Sequence, residues 1–298
     1  MTIIKNVALL GKGFLGSAVL DQLVKAGFSV TVLTRSRSSI QGVPTGVEVK
    51  EVDYASADSL ENALRGHDAV VSTVSPAGFM IQKPAIDASI RAGVKRFIPA
   101  DFGALSTAPE AQGLPVHARP LEIQNYLKEK AHSGELEYTL FAVGVFLDYI
   151  VSRPTIVDSV NRTAVLYDDG EHPFSATSLA SIGKAVVGAL KNADATRNRV
   201  LYVHDMVLTQ RKVLALAKKY SPPAEAWTES SVDAEATLAD LGNQISEKGM
   251  QMPLVAGLFK AAVLSGKYPS AYKKVDNEML GLGIMDEEAL EAMFAANL

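Results

Sequence analysis

Apolar positions along this chain fall into two alternating patterns. Short continuous apolar runs are followed by stretches in which apolar residues recur every three or four positions. Val7-Ala8-Leu9-Leu10 ends at Gly11 and predicts a strand buried on both faces, as in a parallel sheet. Ser17 to Ala26 has helical spacing and is stopped by Gly27. Ser29-Val30-Thr31-Val32-Leu33-Thr34, rich in β-branched residues, predicts a second strand. Val47 to Val52 alternates like a strand and leads to Asp53, and residues 56–65 predict a helix with Ser56 as N-cap. Ala69 to Val74 is a further buried strand, Gln82 to Ala92 a helix stopped by Gly93, and Arg96 to Pro99 a strand. Leu121 to His132 predicts a helix and Tyr138 to Val143 a sixth strand. Strands alternating with helices in this way predict an α/β fold, a Rossmann-type doubly wound parallel sheet.

After about residue 150 the pattern loosens. Ala164 to Tyr167 followed by Asp168-Asp169-Gly170 predicts a strand and turn, Leu179 to Lys191 a helix, and Arg199 to Val203 a strand. Arg211 to Tyr220 predicts a helix, Pro222-Pro223 a break, and 233–248 a polar helix. Residues 253–265 are apolar, and helices are expected near 270–280 and 286–296. The chain therefore divides into a dinucleotide-binding half, 1–150, and a smaller helix-rich substrate-capping half, 151–298, part of which returns to the first sheet. The cap is expected over the carboxyl ends of the strands, where such sheets bind ligands.

Between the first strand and first helix lies Gly11-Lys12-Gly13-Phe14-Leu15-Gly16, a G-x-G-x-x-G in a strand–helix–strand unit of about 30 residues, the context of a dinucleotide fingerprint. Gly11 permits the tight turn, Gly13 lets the backbone approach a pyrophosphate, and Gly16 lets helix and strand pack closely. The free N–H groups at the helix start then face the anion. The second strand ends Thr34-Arg35-Ser36-Arg37-Ser38, with two arginines and no acid. An acid there would bind the unmodified ribose of NAD, whereas a guanidinium fork suits the 2′-phosphate of NADP. NADP(H) is the expected cofactor, the other reading being two solvated arginines in a loop.

Composition narrows the chemistry. The 298 residues carry 29 basic and 33 acidic side chains, net −4, and no basic stripe for a nucleic acid. There is no cysteine, which removes thiolate nucleophiles, disulfides and Cys-ligated metals together. The five histidines, 67, 117, 132, 172 and 204, have no metal-ligand spacing, so no metal is expected. No apolar run approaches the roughly 18 residues of a membrane span. The residues from Met1 to Val7 lack the pattern of a secretory leader, so a cytoplasmic monomer or homodimer is expected.

The order of Gly-rich turn, Thr34-Arg35, Val52-Asp53, Gln82, Ile86-Asp87-Ala88 and above all Ala92-Gly93-Val94-Lys95-Arg96-Phe97-Ile98-Pro99-Ala100-Asp101-Phe102-Gly103 resembles the NmrA-like and isoflavone-reductase-like group of atypical short-chain dehydrogenases, most closely its fungal members. Tyr138-Thr139, Gly144-Val145-Phe146 and Asp148-Tyr149 extend the likeness over nearly the whole chain. The resemblance implies that Phe14 and Leu15 line the pyrophosphate turn. It places Thr34, Arg35 and Arg37 at the 2′-phosphate and Asp53 on the adenine side. Ser75-Pro76-Ala77 and Gln82 would run along the riboses and phosphates, with Phe102 and Gly144-Val145-Phe146 near the nicotinamide.

One departure stands out. Reductases of this group carry a catalytic lysine at the start of the helix after that segment, and here Pro120 stands in its place. Proline has no proton to give but suits a first helical turn. Tyr126 and Lys130 spell Y-x-x-x-K, but on the far part of the helix. His117, Arg119 and Glu122 cluster nearby, with Glu122 as a candidate general acid or base and Arg119 as its charge partner; the bland reading is a surface pair at a helix N-terminus. Asp101 reads as a structural cap. Trp227, Tyr268 and Tyr272 are candidates for an aromatic pocket or for core. Three functions follow as expectations. The first is an NADPH-dependent reductase of an aromatic or alkaloid-like small molecule in secondary metabolism. The second is a non-redox acid/base enzyme (cyclisation, condensation or isomerisation) that keeps NADP as a bound ligand. The third is an NADP-sensing regulator.

Overall fold

In the computed structural model, residues 2–222 and 226–298 are described. Seven parallel strands form the main sheet: β1 (Asn6–Leu10), β2 (Ser29–Thr34), β3 (Glu48–Glu51), β4 (Ala69–Ser72), β5 (Arg96–Ile98), then, after the two-residue β6 (Phe102–Gly103), β7 (Glu137–Ala142), and, much later, β11 (Arg199–Tyr202). Their order is β11-β7-β5-β4-β1-β2-β3, with β6 also paired to β7. The order reverses between β1 and β4, where a ligand crevice opens at the carboxyl ends of the strands. Both faces are covered. Helices α1 (Phe14–Lys25) and α6 (Leu179–Lys191) pack on one, through Val19, Leu23, Ile182 and Val186. Helices α2 (Ala57–Leu64), α3 (Gln82–Arg91) and α4 (Ala118–His132) pack on the other, through Leu60, Ile86 and Leu127. This is why Val7, Leu9 and Leu10 of β1 are fully buried. Ser56 caps α2 as its sequence predicts, its hydroxyl accepting from Ser59 N at 3.2 Å.

The remaining elements build the cap. They are β8 (Val145–Phe146), α5 (Leu147–Ser152), β9 (Thr163–Tyr167), β10 (Phe174–Thr177), β12 (Met206–Leu208), α7 (Gln210–Tyr220), β13 (Thr228–Val232), α8 (Ala234–Lys248), α9 (Met252–Leu264) and α10 (Glu287–Asn297). They share a second core around Leu147, Phe174, Leu208, Leu258 and Phe294. The halves interleave along the chain. Helix α6 and strand β11 return from beyond residue 150 to the first half, while Leu105, Ala108 and Ala111 pack in the cap core. Of the Pro222-Pro223 break, Pro223 lies outside the described residues, as does Met1.

Two expectations are corrected. The stretch 270–280 is not helical but runs as turns along β11. Its polar side chains bond neighbouring backbone: Asp276 Oδ2 accepts from Tyr202 N at 2.9 Å and Asn277 Nδ2 donates to His204 O at 2.8 Å. Such side-chain bonds compete with a helical ladder. Helix α4 starts three residues before Leu121, so Pro120 sits inside its first turn, where no intrahelical N–H bond is needed.

Candidate functional site: the dinucleotide groove

The groove opens where β1 gives way to α1. Gly11 turns the chain with φ +90° and its Cα lies close to Thr73 O; a Cβ there would sit 3.2 Å from that oxygen. A Cβ on Gly16 would sit 2.3 Å from Gly11 O and 2.6 Å from Thr73 Oγ1. Thr73 Oγ1 donates to Gly11 O at 2.6 Å and locks the turn. Gly13 is the N-cap of α1 and supplies no side-chain cap, and a Cβ on it would meet nothing within 4 Å. The first N–H groups of the helix are thus left facing open space, the arrangement that binds a phosphate. The residues present fit a dinucleotide.

The hollow at this turn has a volume of about 600 Å³, and Gly11, Gly13, Phe14, Leu15, Thr34, Arg35, Ser75, Pro76, Phe102 and Phe146 line it. A second hollow of about 840 Å³ continues from Arg35 and Tyr54 to Asp53, Met80 and Pro84. Thr34 is buried and holds the strand end, its hydroxyl donating to Ser36 O at 3.0 Å. Arg35 is exposed on the rim and, among the described residues, has no carboxylate within 4 Å. Asp53 Oδ1 accepts from Ala55 N at 2.9 Å, shaping the turn below that end. Tyr54, which donates to Leu33 O at 3.1 Å, is pushed up to about 12 by burial, with the nearby Arg35 charge acting the other way. At the opposite end Ala100, Phe102, Phe146 and Tyr149 form the wall.

Some expected residues are not brought to the groove. Arg37 turns away: its guanidinium donates to Val49 O and its N–H to Glu51 Oε2 at 3.0 Å, which ties it to the edge strand β3. Gln82 is fully buried behind the wall, its Oε1 accepting from Ala100 N at 2.6 Å. Gly16 acts by close packing and not by contact with the open groove. Gly144 is a buried hinge with φ +68°; its N–H donates to Tyr272 Oη at 2.9 Å, and a Cβ would sit 2.1 Å from Ser175 O. Only glycine fits that turn.

The candidate catalytic trio does not converge. His117 is buried, its Nδ1 bonded to Ala111 O at 2.8 Å, and burial holds its imidazole below the usual value. Arg119 is exposed on the first turn of α4. Glu122 is exposed and lies 3.7 Å from Lys83 Nζ, not beside Arg119. None of the three lines the groove, because the inward face of that helix turn is taken by Ile123 and Gln124. Gln124 Nε2 donates to Asp101 Oδ2 at 2.7 Å, and Ser106 Oγ to Asp101 Oδ1 at 2.7 Å. Burial pushes the Asp101 carboxyl up, against these two donors. Asp101 is thereby a tie between α4 and the loop that carries Phe102. Tyr126 faces outward, donating to Asp87 with Lys83 and Lys130 over its ring, so the Y-x-x-x-K pair is a surface contact. Tyr272 is locked in the core, donating to Ala104 O at 2.8 Å, and Trp227 and Tyr268 pack on the cap core. Among the described residues no group of three or more His, Asp or Glu could hold a metal, and no helix is long and apolar enough to cross a membrane.

Sequence reasoning missed Lys12, Tyr54, Thr73, Tyr149 and Arg153. Lys12 lies within the glycine motif itself, its Nζ donating to Gln41 O at 2.7 Å. Tyr149 stacks on Phe14, ring centroids 4.9 Å apart, with the Arg153 guanidinium 4.3 Å above the Tyr149 ring. No pattern in the sequence pairs residue 14 with residues 149 and 153.

Comparison with known proteins agrees with this geometry. A family model described as NAD(P)H-binding matches residues 11–193. The chain is 32% identical over 245 residues to oxidoreductase poxI of Penicillium oxalicum, covering 80% of this chain and 76% of that protein. It is 33% identical to oxidoreductase aprR of Aspergillus flavus over 70% of each. Among solved structures, AtPrR2 with NADP+ and (+)pinoresinol superposes with a TM-score of 0.76 at 18% identity over the full length of both chains. An isoflavone reductase superposes at 0.74 and 20% identity, over 97% of this chain and 98% of that one. With the family model matching residues 11–193 and relatives above 30% identity over most of their length, the chain belongs to the NAD(P)H-binding NmrA-like and isoflavone-reductase-like family.

Proposed function

We propose that the protein is an NADPH-dependent reductase of an aromatic or alkaloid-like small molecule. The observation that carries this reading is the lining of the groove. It runs from a guanidinium at the adenine end to an aromatic wall of Phe102, Phe146 and Tyr149, and among the described residues no Asp, Glu or His lines the hollow of about 600 Å³ between. That favours a site that orients a redox cofactor over one that moves protons between carboxylates. NADPH held there would supply a hydride to an electron-poor carbon of the substrate, and the accompanying proton would be taken from bulk solvent as the reduced product leaves the shielded groove. The chain's own part is to hold and shield: Phe102 and Phe146 form an apolar wall that excludes water, and Asp101, through Ser106 and Gln124, fixes the loop bearing Phe102. Related proteins support the substrate class, since one neighbour was solved with (+)pinoresinol and relatives include a phenylcoumaran benzylic ether reductase of Pyrus communis. Fungal relatives named as oxidoreductases support the reaction type.

The test is turnover with a panel of lignan-like, conjugated and imine-bearing aromatics, following nicotinamide absorbance and product together. Product should form in step with cofactor oxidation. Product without oxidation removes the reductase reading, and cofactor binding with no turnover on any panel member favours the regulator. For the phosphate end, Arg35→Ala should raise the Kd for NADPH by roughly 10–100-fold, the worth of a charged hydrogen-bonded contact, and leave NADH unchanged.

A further inference from the structure

We infer that Arg153, contributed by the cap, is a pyrophosphate-binding residue that closes the groove over the cofactor. It rests on the groove being the dinucleotide site. Arg153 directly follows α5, the short helix that carries Tyr149. Its guanidinium lies 4.3 Å above the Tyr149 ring and 5.4 Å from the Phe14 ring, and those rings are stacked with only 10° between their planes. Phe14 is the first residue of α1, so this platform stands beside the uncapped helix start. The rings fix the guanidinium by cation–π contact while its N–H donors remain for another partner. Among the described residues, no carboxylate lies within 4 Å of it and no hydrogen bond engages its side chain. Phe14 and Tyr149 line the hollow at the helix start, so an unspent guanidinium resting on both rings stands at its edge, and among the described residues no acid lines that hollow; together these suit a dianion. Arg35 is at the adenine end and reads the 2′-phosphate. Arg153, on the Phe14–Tyr149 platform at the edge of the hollow, grips the phosphates common to both dinucleotides, which ties cap to sheet when the cofactor is bound.

The two arginines separate by ligand. Kd values for NADPH, NADH and adenosine 2′-monophosphate, which has no 5′-phosphate, are measured by titration on the full chain. Arg153→Ala should weaken NADPH and NADH alike, by about tenfold, and leave adenosine 2′-monophosphate unchanged. Arg153→Lys, which keeps the charge, should fall between. Arg35→Ala should show the reverse selectivity, losing NADPH and adenosine 2′-monophosphate but not NADH. Unchanged affinity of Arg153→Ala for both dinucleotides overturns the inference, as does an equal loss for adenosine 2′-monophosphate, which would mark a general distortion. If the parent itself binds neither dinucleotide, the groove assignment fails, a result distinct from either.

Discussion

Gly13 and Gly16 sit three residues apart in one motif, yet a single methyl should injure different properties at each. On Gly16 the added Cβ would lie 2.3 Å from Gly11 O and 2.6 Å from Thr73 Oγ1, well inside contact distance. The Gly11 oxygen belongs to backbone held by its turn, so it cannot swing away. The helix must lift, and Thr73 Oγ1 must give up its 2.6 Å bond to Gly11 O. Overpacking of this kind costs roughly 1–3 kcal/mol, and the lost hydrogen bond adds about 1, so Gly16→Ala should destabilise by about 2–4 kcal/mol. In a chain of this size that lowers the thermal midpoint by about 5 °C or more. On Gly13 the same methyl meets nothing within 4 Å, and φ −86° is ordinary backbone. Gly13→Ala should change stability by only about 0.5 kcal/mol. Its methyl projects into the space where the phosphates approach the N–H groups, so the Kd for NADPH should rise about tenfold or more. Calorimetry and cofactor titration on the two variants check this together. A Gly13→Ala protein with parental NADPH affinity would refute the close-approach argument, and a Gly16→Ala protein as stable as the parent would refute the packing one.

Arg37→Ala should leave the preference between NADPH and NADH unchanged, since its guanidinium is engaged by Val49 O; a lost preference in titration would return it to the phosphate site. Glu122→Gln should retain full turnover and shift stability by less than about 0.5 kcal/mol, because its contact with Lys83 is a solvated surface pair; loss of turnover would revive acid/base chemistry there. Burial holds His67, His117 and His204 below their usual 6.5. Unfolding frees these rings to take up protons below about 6.5, so stability present above that pH is lost as pH falls toward the lower folded values. The thermal midpoint should fall on going from pH 7.5 to about 5.5, and a flat profile would mean that the rings are charged in the fold.

The groove was legible in the sequence because its makers are local. Gly11, Gly13 and Gly16 act within one turn, and Arg35 follows directly on the strand that carries it. Alternating buried strands and amphipathic helices likewise follow from nearest-neighbour spacing, which set the parallel sheet and most of its elements. Short strands such as Phe174–Thr177 and Thr228–Val232 were not legible, since they are made by pairing partners distant in the chain.

Tertiary structure alone decided which charged side chains face the groove. Arg35 and Arg37 are equivalent by sequence, and only the edge strand beside Arg37 takes it out of the site. Glu122 and Gln124 differ by two positions on one helix; the helix phase turns Gln124 to Asp101 and leaves Glu122 in solvent. Arg153 meets Phe14 because the cap folds back over the first helix. The sequence by itself determined the fold class and a phosphate-binding turn, through short-range geometry. Packing of distant segments decided the orientation of each charge, and with it the chemistry that the groove supports.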